Sequence, residues 1–500
     1  MWQLTSLQTL IRMFLALTLS ILSILGLNNF LLFYFRVRPK REISVERPSH
    51  IEEWPFVTVQ VATYNEKNVI SRLLESCLKL DYPAGKLEIV IVDDSNDETI
   101  DILRDYERKY YPRIKVIHRS ERSGYKAGAL NEALKHSRGE FFLILDADSV
   151  PEADFLKKTI PLFLADSRLG FVQGKIGYLN VESSWLMRAF ALVNDWFSVF
   201  TQSALSREGM IMSFIGHGGV FRRKAIEDVG GWMSDTITED MDMAYRVQLK
   251  GWRGVFVEEA VSLEEIPPSY YSAIRRFKRH IKGPIQNLIK HGKSVLKHNE
   301  LGALGKVEAL ILLSYPLVYP LGLLCLSLTT LMYLLIPGPL LDGFWCSTLG
   351  FLYSILMLLT FPYGALVVAF IPSALIIIVA SLFALVFLLR KKRSLEIVGM
   401  RSIFGTMLIL NDNLVNCLIP LKEILAGGKS SWLPTERSVG GGRVKWRRER
   451  KRAAILRIAA SALVFAAFSA ISYLNFSFSS LGILVPAVLW LYSAFLILGG

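Results

Sequence analysis

The chain of 500 residues is 52% hydrophobic with a mean hydropathy of +0.36, which is too apolar for a purely soluble protein of this size. Much of its formal net charge of +13 comes from residues 36–41 and 443–452, which hold four and seven basic residues against none and one acidic residue. Both windows adjoin apolar segments, a pattern typical of cytoplasmic membrane flanks rather than of a nucleic-acid-binding surface.

The first apolar segment, residues 13–35, is long enough to cross a bilayer. It is longer than the apolar part of a usual signal peptide and lacks a cleavage site of small residues, so it predicts a membrane anchor. We therefore expect residues 1–41 to form a transmembrane anchor with a basic flank. A separate cytosolic domain is expected over residues 54–305.

The first half of this domain alternates strand and helix patterns. Apolar, β-branched runs predict strands at 56–62, 87–92, 113–117 and 141–145. Helical periodicity predicts helices at 69–80, 99–111 and 126–136. This alternation predicts a parallel sheet with helices on both faces, and ligands then bind beyond the carboxyl ends of the strands.

Polar residues cluster at those strand ends. They are Thr63, Tyr64, Glu66, Asp93, Asp94, Asp146 and Asp148. Alternation along the strand would aim Asp146 and Asp148 the same way, and two carboxylates on one side suit a hard divalent cation that also holds a diphosphate. The alternative for this pair is a simple turn after the strand, which Pro151 would favour.

Three further stretches carry chemistry or remain open. Lys126 begins a helix and could neutralise a phosphate, although a solvated surface lysine is the plain alternative. The glycine-rich segment 214–219 suits close backbone approach to a ligand, whereas His217 by itself is more often a structural hydrogen-bonding residue. The aromatic segment 185–201 fits either a helix at the membrane surface or a core helix.

Three acids follow in the segment 235–252, where a polar turn runs into helical periodicity. Glu239, Asp240 and Asp242 would lie on the first turn of that helix, where the helix dipole favours negative charge. An acidic helix cap without further role is the alternative interpretation.

From residue 307 the pattern is membrane-like. Apolar segments predict spans at 310–336, 344–361, 366–389, 453–474 and 481–498, with a mixed segment at 397–425. We therefore expect transmembrane and interfacial helices over 307–425, a cytosolic loop with a polybasic segment over 426–452, and a transmembrane hairpin over 453–500.

The ordered motifs resemble those of glycosyltransferase family 2, in particular the membrane-embedded synthases of plant mannans and glucomannans, cellulose synthase and their bacterial relatives. The resemblance covers about residues 57–290. Its carriers are T-Y-N-E (63–66), V-D-D-S (92–95), G-Y-K-A-G-A-L (124–130), D-A-D (146–148), P-E-A-D-F-L (151–156), V-Q-G (172–174), G-G-W (230–232), T-E-D-M-D (238–242) and L-K-G-W (249–252).

The resemblance implies an α/β nucleotide-sugar-transferase domain of the GT-A-like type, joined to transmembrane helices. It implies that the nucleoside of a UDP- or GDP-sugar is held by Thr63, Tyr64, Glu66, Asp93 and Asp94. Lys126 would then hold the diphosphate, Asp146 and Asp148 the donor with Mn²⁺ or Mg²⁺, and Asp240 would be the general base. An inverting displacement needs this arrangement, with the metal on the leaving diphosphate and a carboxylate at the acceptor hydroxyl.

Two further likenesses concern the acceptor and a donor-closing loop. W-L-P-T-E-R (432–437) resembles the gating loop of the synthases, in which Thr435 and Arg437 would close over the diphosphate, and a proline-containing connector is the alternative. The acceptor motif of the processive enzymes, Gln-x-x-Arg-Trp, departs here to Arg276, Arg279 and His280, which puts processivity in doubt. The expected acceptor-side residues are Glu239, Arg276, Arg279, His280 and Trp432.

If the loop and the catalytic domain share the cytoplasm, an even number of spans separates them. Of the segments 310–336, 344–361, 366–389 and 397–425, either two cross and two lie in the interface, or all four cross. The basic run 390–393 favours the former.

The expected protein is a multi-pass cell-membrane hexosyltransferase that contacts membrane lipids and binds no nucleic acid. The product that we expect in the first place is a β-linked polysaccharide. The alternatives are a single transfer to a lipid acceptor and a non-catalytic binding or transport protein.

Overall fold

The computed structural model describes residues 2–38, 51–83, 85–335, 400–427, 447–475 and 484–499. The strands are β1 Val57–Thr63, β2 Leu87–Asp93, β3 Ile114–His118, β4 Phe141–Leu145, β5 Val150–Pro151, β6 Leu169–Tyr178, β7 Gly219–Arg222 and β8 Arg253–Glu264. The α-helices in these ranges are α1 Trp2–Val37, α2 Ile70–Leu78, α3 Thr99–Tyr110, α4 Tyr125–His136, α5 Phe155–Ala165, α6 Trp185–Asp195, α7 Gln202–Arg207, α8 Arg223–Glu227, α9 Glu239–Leu249, α10 Tyr270–Lys297, α11 Ala303–Ser314, α12 Val318–Leu335, α13 Met400–Asn416, α14 Leu418–Leu425, α15 Arg447–Asn475 and α16 Leu484–Gly499.

The strands form one eight-stranded sheet in the order β3-β2-β1-β4-β7-β6-β8-β5. Strands β1 to β4 are parallel, so their carboxyl ends meet at one edge. The four strands and three helices predicted between residues 56 and 145 are confirmed, with ends displaced by at most two residues.

The parallel sheet predicted from the first half of the domain is confirmed for β1 to β4, and the second half of the sheet is mixed. Strand β7 is antiparallel to both β4 and β6, and β5 is antiparallel to β8. The alternation of strand and helix patterns that carried this prediction ends after β4. Strand β7 is only four residues long, and its first residue, Gly219, belongs to the glycine-rich segment 214–219.

Side chains from the two faces of the parallel strands enter different hydrophobic clusters. Phe141, Leu143 and Leu145 of β4 pack in one cluster with residues of β1 and α2, whereas Phe142 and Ile144 pack in the other with Tyr245 of α9. This alternation follows from the two-residue period of a strand. It places the sheet between two apolar layers, which fixes the strand ends where the polar residues lie.

Glu88 is a fully buried carboxylate on β2, inside this apolar sheet. It accepts hydrogen bonds from Thr58 Oγ1 (2.8 Å), from Lys115 Nζ (2.9 Å) and from the backbone N–H of Arg138 (2.6 Å). A buried charge is tolerated only when it is paired and hydrogen-bonded, and these contacts meet that condition.

Among the described residues, four helical stretches are long and apolar enough to cross a membrane, namely Ser6–Val37, Ala303–Met332, Phe404–Leu425 and Arg448–Ile471. The predicted segments 344–361 and 366–389 lie outside the described residues, so the number of crossings between the sheet and residue 432 stays a prediction. The helix predicted at 185–201 packs closely on α13 at Gly405. A side chain at this glycine would clash, since its Cβ would lie 2.6 Å from Ala189 Cβ and 2.8 Å from the Trp185 ring.

An ion pair lies inside the bundle of candidate spans. Arg457 Nε donates to Asp412 Oδ1 at 2.5 Å, and both residues are almost wholly buried. Ser493 Oγ donates to the same carboxylate at 2.8 Å, so α13, α15 and α16 meet at this point. Asn416 Nδ2 of α13 donates to the Ile274 carbonyl at 3.0 Å, which ties the bundle to α10.

Candidate active site

One cavity opens at the carboxyl ends of β1, β2 and β4 and is closed on its other side by α9 and α10. The predicted site residues that line it are Thr63, Tyr64, Glu66, Asp94, Lys126, Asp146, Asp148, Glu239, Asp240, Arg276, Arg279 and His280. Trp432, Thr435 and Arg437 lie outside the described residues. The fold thus brings together residues that are more than 200 positions apart in the sequence.

The two acids that follow β2 differ in surroundings. Asp93 is fully buried and is not among the lining residues; it accepts from Ser95 Oγ (2.6 Å) and contacts His118 Nδ1 (2.7 Å). Asp94 lines the cavity and accepts two hydrogen bonds from the Arg119 guanidinium, at 2.7 and 2.6 Å. The Arg122 guanidinium lies 3.8 Å from the centre of the Tyr64 ring, which also lines the cavity.

Lys126 lies on the first turn of α4 and reaches into the cavity. Its Nζ donates to Asp146 Oδ1 at 2.5 Å and to the Gly216 carbonyl at 2.8 Å. The turn before it has a left-handed backbone at Gly124 (φ 70°) and at Tyr125 (φ 51°). Burial disfavours the ammonium, but Asp146 and the nearby acids of α9 outweigh it and raise the pKa of Lys126.

Glu239 and Asp240 begin α9 on the opposite wall. Burial and the neighbouring Asp240 raise the pKa of Glu239 to about 7, and burial also raises the pKa of Asp240. Asp240 Oδ1 accepts from the Met241 backbone N–H at 2.8 Å, and Oδ2 lies 2.8 Å from where a Cβ at Gly216 would be. The Gly216 backbone therefore lies between Asp240 and Lys126, and a side chain there would clash with the carboxylate.

Asp242, the third acid of the motif, turns away from the cavity and joins α9 to α10. Its carboxylate contacts Arg246 (2.7 Å), Lys290 (2.6 Å) and His291 (2.8 Å). Burial opposes its ionisation, but hydrogen bonds from His291 and Lys290 and the charge of Arg246 lower the pKa of Asp242 to about 2. This acid therefore holds α9 in place while Glu239 and Asp240 face the cavity.

The Thr238 side chain makes the second contact between these two helices. Thr238 Oγ1 accepts from Asn287 Nδ2 at 2.9 Å, and a Cβ at Gly283 would lie 2.3 Å from the threonine side chain. Glycine at position 283 thus allows α10 to approach the motif this closely.

Asp146 and Asp148 fit a divalent metal site that substrate completes. No group of three or more His, Cys, Asp or Glu side chains suited to a metal occurs within the described ranges, so a metal held by this pair would need further ligands from substrate or water. Mg²⁺ and Mn²⁺ favour carboxylate oxygens, and Mg²⁺ in particular is usually held by one or two carboxylates with waters and substrate phosphates. The donor set agrees with that chemistry.

The three expected acceptor residues of α10 have different environments. Arg276 Nη2 donates to both oxygens of Glu264 at 3.0 Å, so its charge is paired within the protein. Arg279 lines the cavity, where burial and the charge of Arg276 lower its pKa to about 10. His280 is exposed at the cavity wall, with its ring edge-on to Phe277 at 5.8 Å between centroids.

Sequence reasoning did not assign Arg122, Glu264 or Glu265, although all three line the cavity. The two glutamates follow the same strand-end rule that identified the other acids, since β8 ends at Glu264. His217 is buried and hydrogen-bonded, in agreement with its interpretation as a structural residue, yet it also lines the cavity.

Residues 141–389 match the family described as Glycosyl transferase family group 2. The probable glucomannan 4-beta-mannosyltransferase 11 of Oryza sativa subsp. japonica is 33% identical over 264 residues, 51% of this chain and 46% of that protein. The probable glucomannan 4-beta-mannosyltransferase 10 of Arabidopsis thaliana is 31% identical over 267 residues, 50% of this chain and 48% of that protein. The chain thus spans about half the length of these curated relatives.

Among solved structures, the fold is similar to that of the mannosyltransferase PcManGT from Pyrobaculum calidifontis, determined in complex with GDP-Man and Mn²⁺. The TM-score is 0.53 with 22% sequence identity, covering 83% of this chain and 100% of that chain. This likeness supports the GT-A-like α/β fold with a mixed sheet.

The raised pKa of the Glu239–Asp240 pair predicts a specific pH dependence. Full ionisation of the pair needs the proton of Glu239 to leave as the pH rises through neutrality, so kcat/KM should rise there. Glu239→Gln removes the carboxyl group whose pKa is raised to about 7, and should therefore move the rising limb to lower pH. Full pH profiles at saturating Mn²⁺ test this, with Glu300→Gln on the surface as the control. An unmoved limb would show that the pair does not titrate together.

Proposed function

We propose that this chain, a glycosyl transferase family group 2 protein by its match over residues 141–389, transfers a hexosyl group from a nucleoside-diphosphate sugar with inversion at the anomeric carbon. The observation that supports this most directly is the convergence of Lys126, Asp146 and Asp148 with Glu239 and Asp240 in one cavity. The first three suit a diphosphate with its metal, and the last two supply carboxylates on the facing wall.

In the proposed reaction Asp240 accepts the proton of the acceptor hydroxyl as that oxygen bonds to the anomeric carbon. The bond from this carbon to the diphosphate oxygen breaks at the same time, and the nucleoside diphosphate leaves. Lys126 exchanges its contact with Asp146 for the diphosphate and stabilises the leaving charge. When bound, Mn²⁺ or Mg²⁺ held by Asp146 and Asp148 would supply Lewis-acid stabilisation of the same group.

GDP-mannose is the donor that we propose first. Two relatives carry the name glucomannan 4-beta-mannosyltransferase, and the similar solved structure was determined with GDP-Man and Mn²⁺. Tyr64, under the Arg122 guanidinium, and Asp94, held by Arg119, would contact the nucleoside at the carboxyl ends of β1 and β2. Asp93 would support this region through Ser95, since it does not line the cavity.

A growing β-linked glycan is the acceptor that we propose, in preference to a lipid phosphate. An anionic head group would need unpaired positive charge, but Arg276 is paired with Glu264 and Lys278 is not among the lining residues. His280 offers an imidazole at the wall that can hydrogen-bond a sugar hydroxyl. Arg279 and Glu239 are the remaining acceptor-side candidates on α10 and α9.

The proposed placement is a multi-pass membrane protein with residues 54–305 in the cytoplasm. Membrane integration is supported by the four candidate spans in the described part of the chain, three of which follow the sheet region in sequence. The basic windows 36–41 and 443–452 adjoin two of these spans and favour the cytoplasmic side. The loop containing Trp432, Thr435 and Arg437 would then lie on the same side as the cavity.

The proposed function predicts that the purified protein in detergent transfers a hexosyl group from a nucleoside-diphosphate sugar. The assay uses a panel of GDP- and UDP-sugars with Mn²⁺. Asp240→Asn should lower turnover by about 100-fold or more, because a positioned base contributes that much, while nucleotide affinity stays nearly unchanged. Asp101→Asn, an exposed acid on α3, is the control. Absence of transfer with every donor would contradict the proposed function, and substantial transfer by Asp240→Asn would contradict the assignment of the base.

The metal assignment predicts a conditional effect on donor binding. Asp148→Ala should weaken GDP binding in the presence of Mn²⁺ and much less in its absence, because only the metal-bridged part of the affinity is lost. Calorimetric titration with and without Mn²⁺ measures both affinities, and EDTA should abolish transfer by the wild type. Full activity in chelator would exclude this metal role.

The position of His280 predicts a change in product length. A tryptophan gives a sugar ring a larger stacking surface than imidazole does, so His280→Trp should lengthen a glycan product. His136→Trp, on the exposed end of α4, is the matched control. Loss of transfer to a lipid phosphate without polymer formation would instead favour the lipid acceptor. Unchanged products in both assays would place His280 outside the acceptor site.

A further inference from the structure

A continuous hydrogen-bonded chain runs beneath the cavity from the Asp146 turn to α10. The Asp146 backbone N–H donates to Ser149 Oγ at 3.0 Å, and Ser149 Oγ lies 3.0 Å from His217 Nδ1. His217 Nε2 lies 3.1 Å from Glu264 Oε2, and Glu264 accepts from Arg276 Nη2 at 3.0 Å. Ser149, His217, Glu264 and Arg276 are called the Glu264 network below.

The middle of this network is almost wholly buried, although His217 and Glu264 each reach the cavity wall. Ser149, His217 and Glu264 are 0%, 3% and 5% exposed. Burial disfavours the Glu264 carboxylate, but Arg276 and His217 lower its pKa to about 2, so it is charged. An acid buried in this way needs both partners, because a buried charge that loses one is strongly destabilised.

The backbone around His217 is held independently, so the imidazole has little freedom. Gln173 Oε1 accepts from the Ile215 backbone N–H at 2.8 Å, and Gln173 Nε2 donates to the His217 carbonyl at 3.1 Å. The adjacent Gly216 carbonyl accepts from Lys126. The loop 215–217 therefore contacts Lys126, the residue proposed to bind the diphosphate, through its backbone. It contacts Glu264 through the side chain of His217.

We propose that the Glu264 network is a positioning device that fixes the Asp146–Asp148 turn, and through it the divalent metal, relative to the acceptor wall formed by α10. Arg276 acts through Glu264 in this arrangement and does not bind the acceptor. The inference deepens the proposed function and rests on it. Its consequence is that a change at Arg276 on the acceptor side alters metal binding on the donor side.

The test is Mn²⁺ binding by the full-length protein in detergent with GDP present, measured from the EPR signal of free Mn²⁺. Glu264→Gln and Arg276→Gln should each raise the Mn²⁺ dissociation constant by about 10-fold or more, the size expected when partners of metal ligands are removed. The double variant should lose little beyond either single variant, because both changes break the same chain. Arg276→Lys, which keeps the charge, should lie between wild type and Arg276→Gln.

Two further variants separate this role from a general loss of stability. Glu88→Gln also removes a buried, paired carboxylate from the sheet, and it should lower the melting temperature while leaving Mn²⁺ affinity at the wild-type value. Ser149→Ala removes the acceptor for the Asp146 N–H with only a small change in volume, and it should weaken Mn²⁺ binding. This variant tests the inference if Glu264→Gln does not fold.

The opposing outcomes are distinct. If Arg276→Gln raises only the KM for the acceptor and leaves Mn²⁺ affinity unchanged, Arg276 is an acceptor ligand and the inference is overturned. Equal Mn²⁺ affinity in wild type, Ser149→Ala and Glu264→Gln overturns it as well. A wild type that binds no Mn²⁺ with GDP or UDP overturns the proposed function together with this inference.

Discussion

The arrangement of the cavity depends on Lys126, the cation placed where carboxylates from distant parts of the chain meet. Asp146 arrives at the end of β4, while Glu239 and Asp240 begin α9, nearly 100 residues later. In a partly buried site, repulsion between such acids is only weakly screened, so a cation between them lowers the cost of bringing them together. The same cation would let a pocket lined by acids receive the diphosphate of the proposed donor.

Helix α10 connects the acidic wall of the cavity to the sheet and to the apolar helices. It holds α9 through Asp242 and His291, and it approaches Thr238 at Gly283 closely enough to exclude any side chain. Its N-terminal turns contact Glu264 through Arg276, and its Ile274 carbonyl accepts from Asn416 in the bundle of apolar helices. The α10 wall of the cavity is therefore fixed both by contacts with the sheet and by contacts with the candidate membrane spans.

The sequence predicts the local features of this fold well and the long-range contacts poorly. Strands β1 to β4 follow from their apolar runs, and Asp94, Asp146 and Asp148 follow from their positions at the strand ends. Asp93 has the same pattern as Asp94, yet the alternation along the strand turns it inward to Ser95 and His118. The pairing of Arg276 with Glu264, and the reversal of β7, depend on which segments become neighbours in space, which no local pattern specifies.

The Asp412–Arg457 pair has a consequence for how the protein enters a bilayer. Each residue lies inside a candidate span, and a lone charge at the centre of a bilayer costs about 2.5–3.5 kcal/mol on insertion scales. An unpaired charge would oppose the insertion of either helix by itself, whereas the pair, with Ser493 as a third partner, satisfies both charges. Helices α13, α15 and α16 should consequently leave the insertion machinery as a group. Because Asn416 of α13 also contacts the Ile274 carbonyl, the packing of these three helices against one another also settles the position of one end of α10.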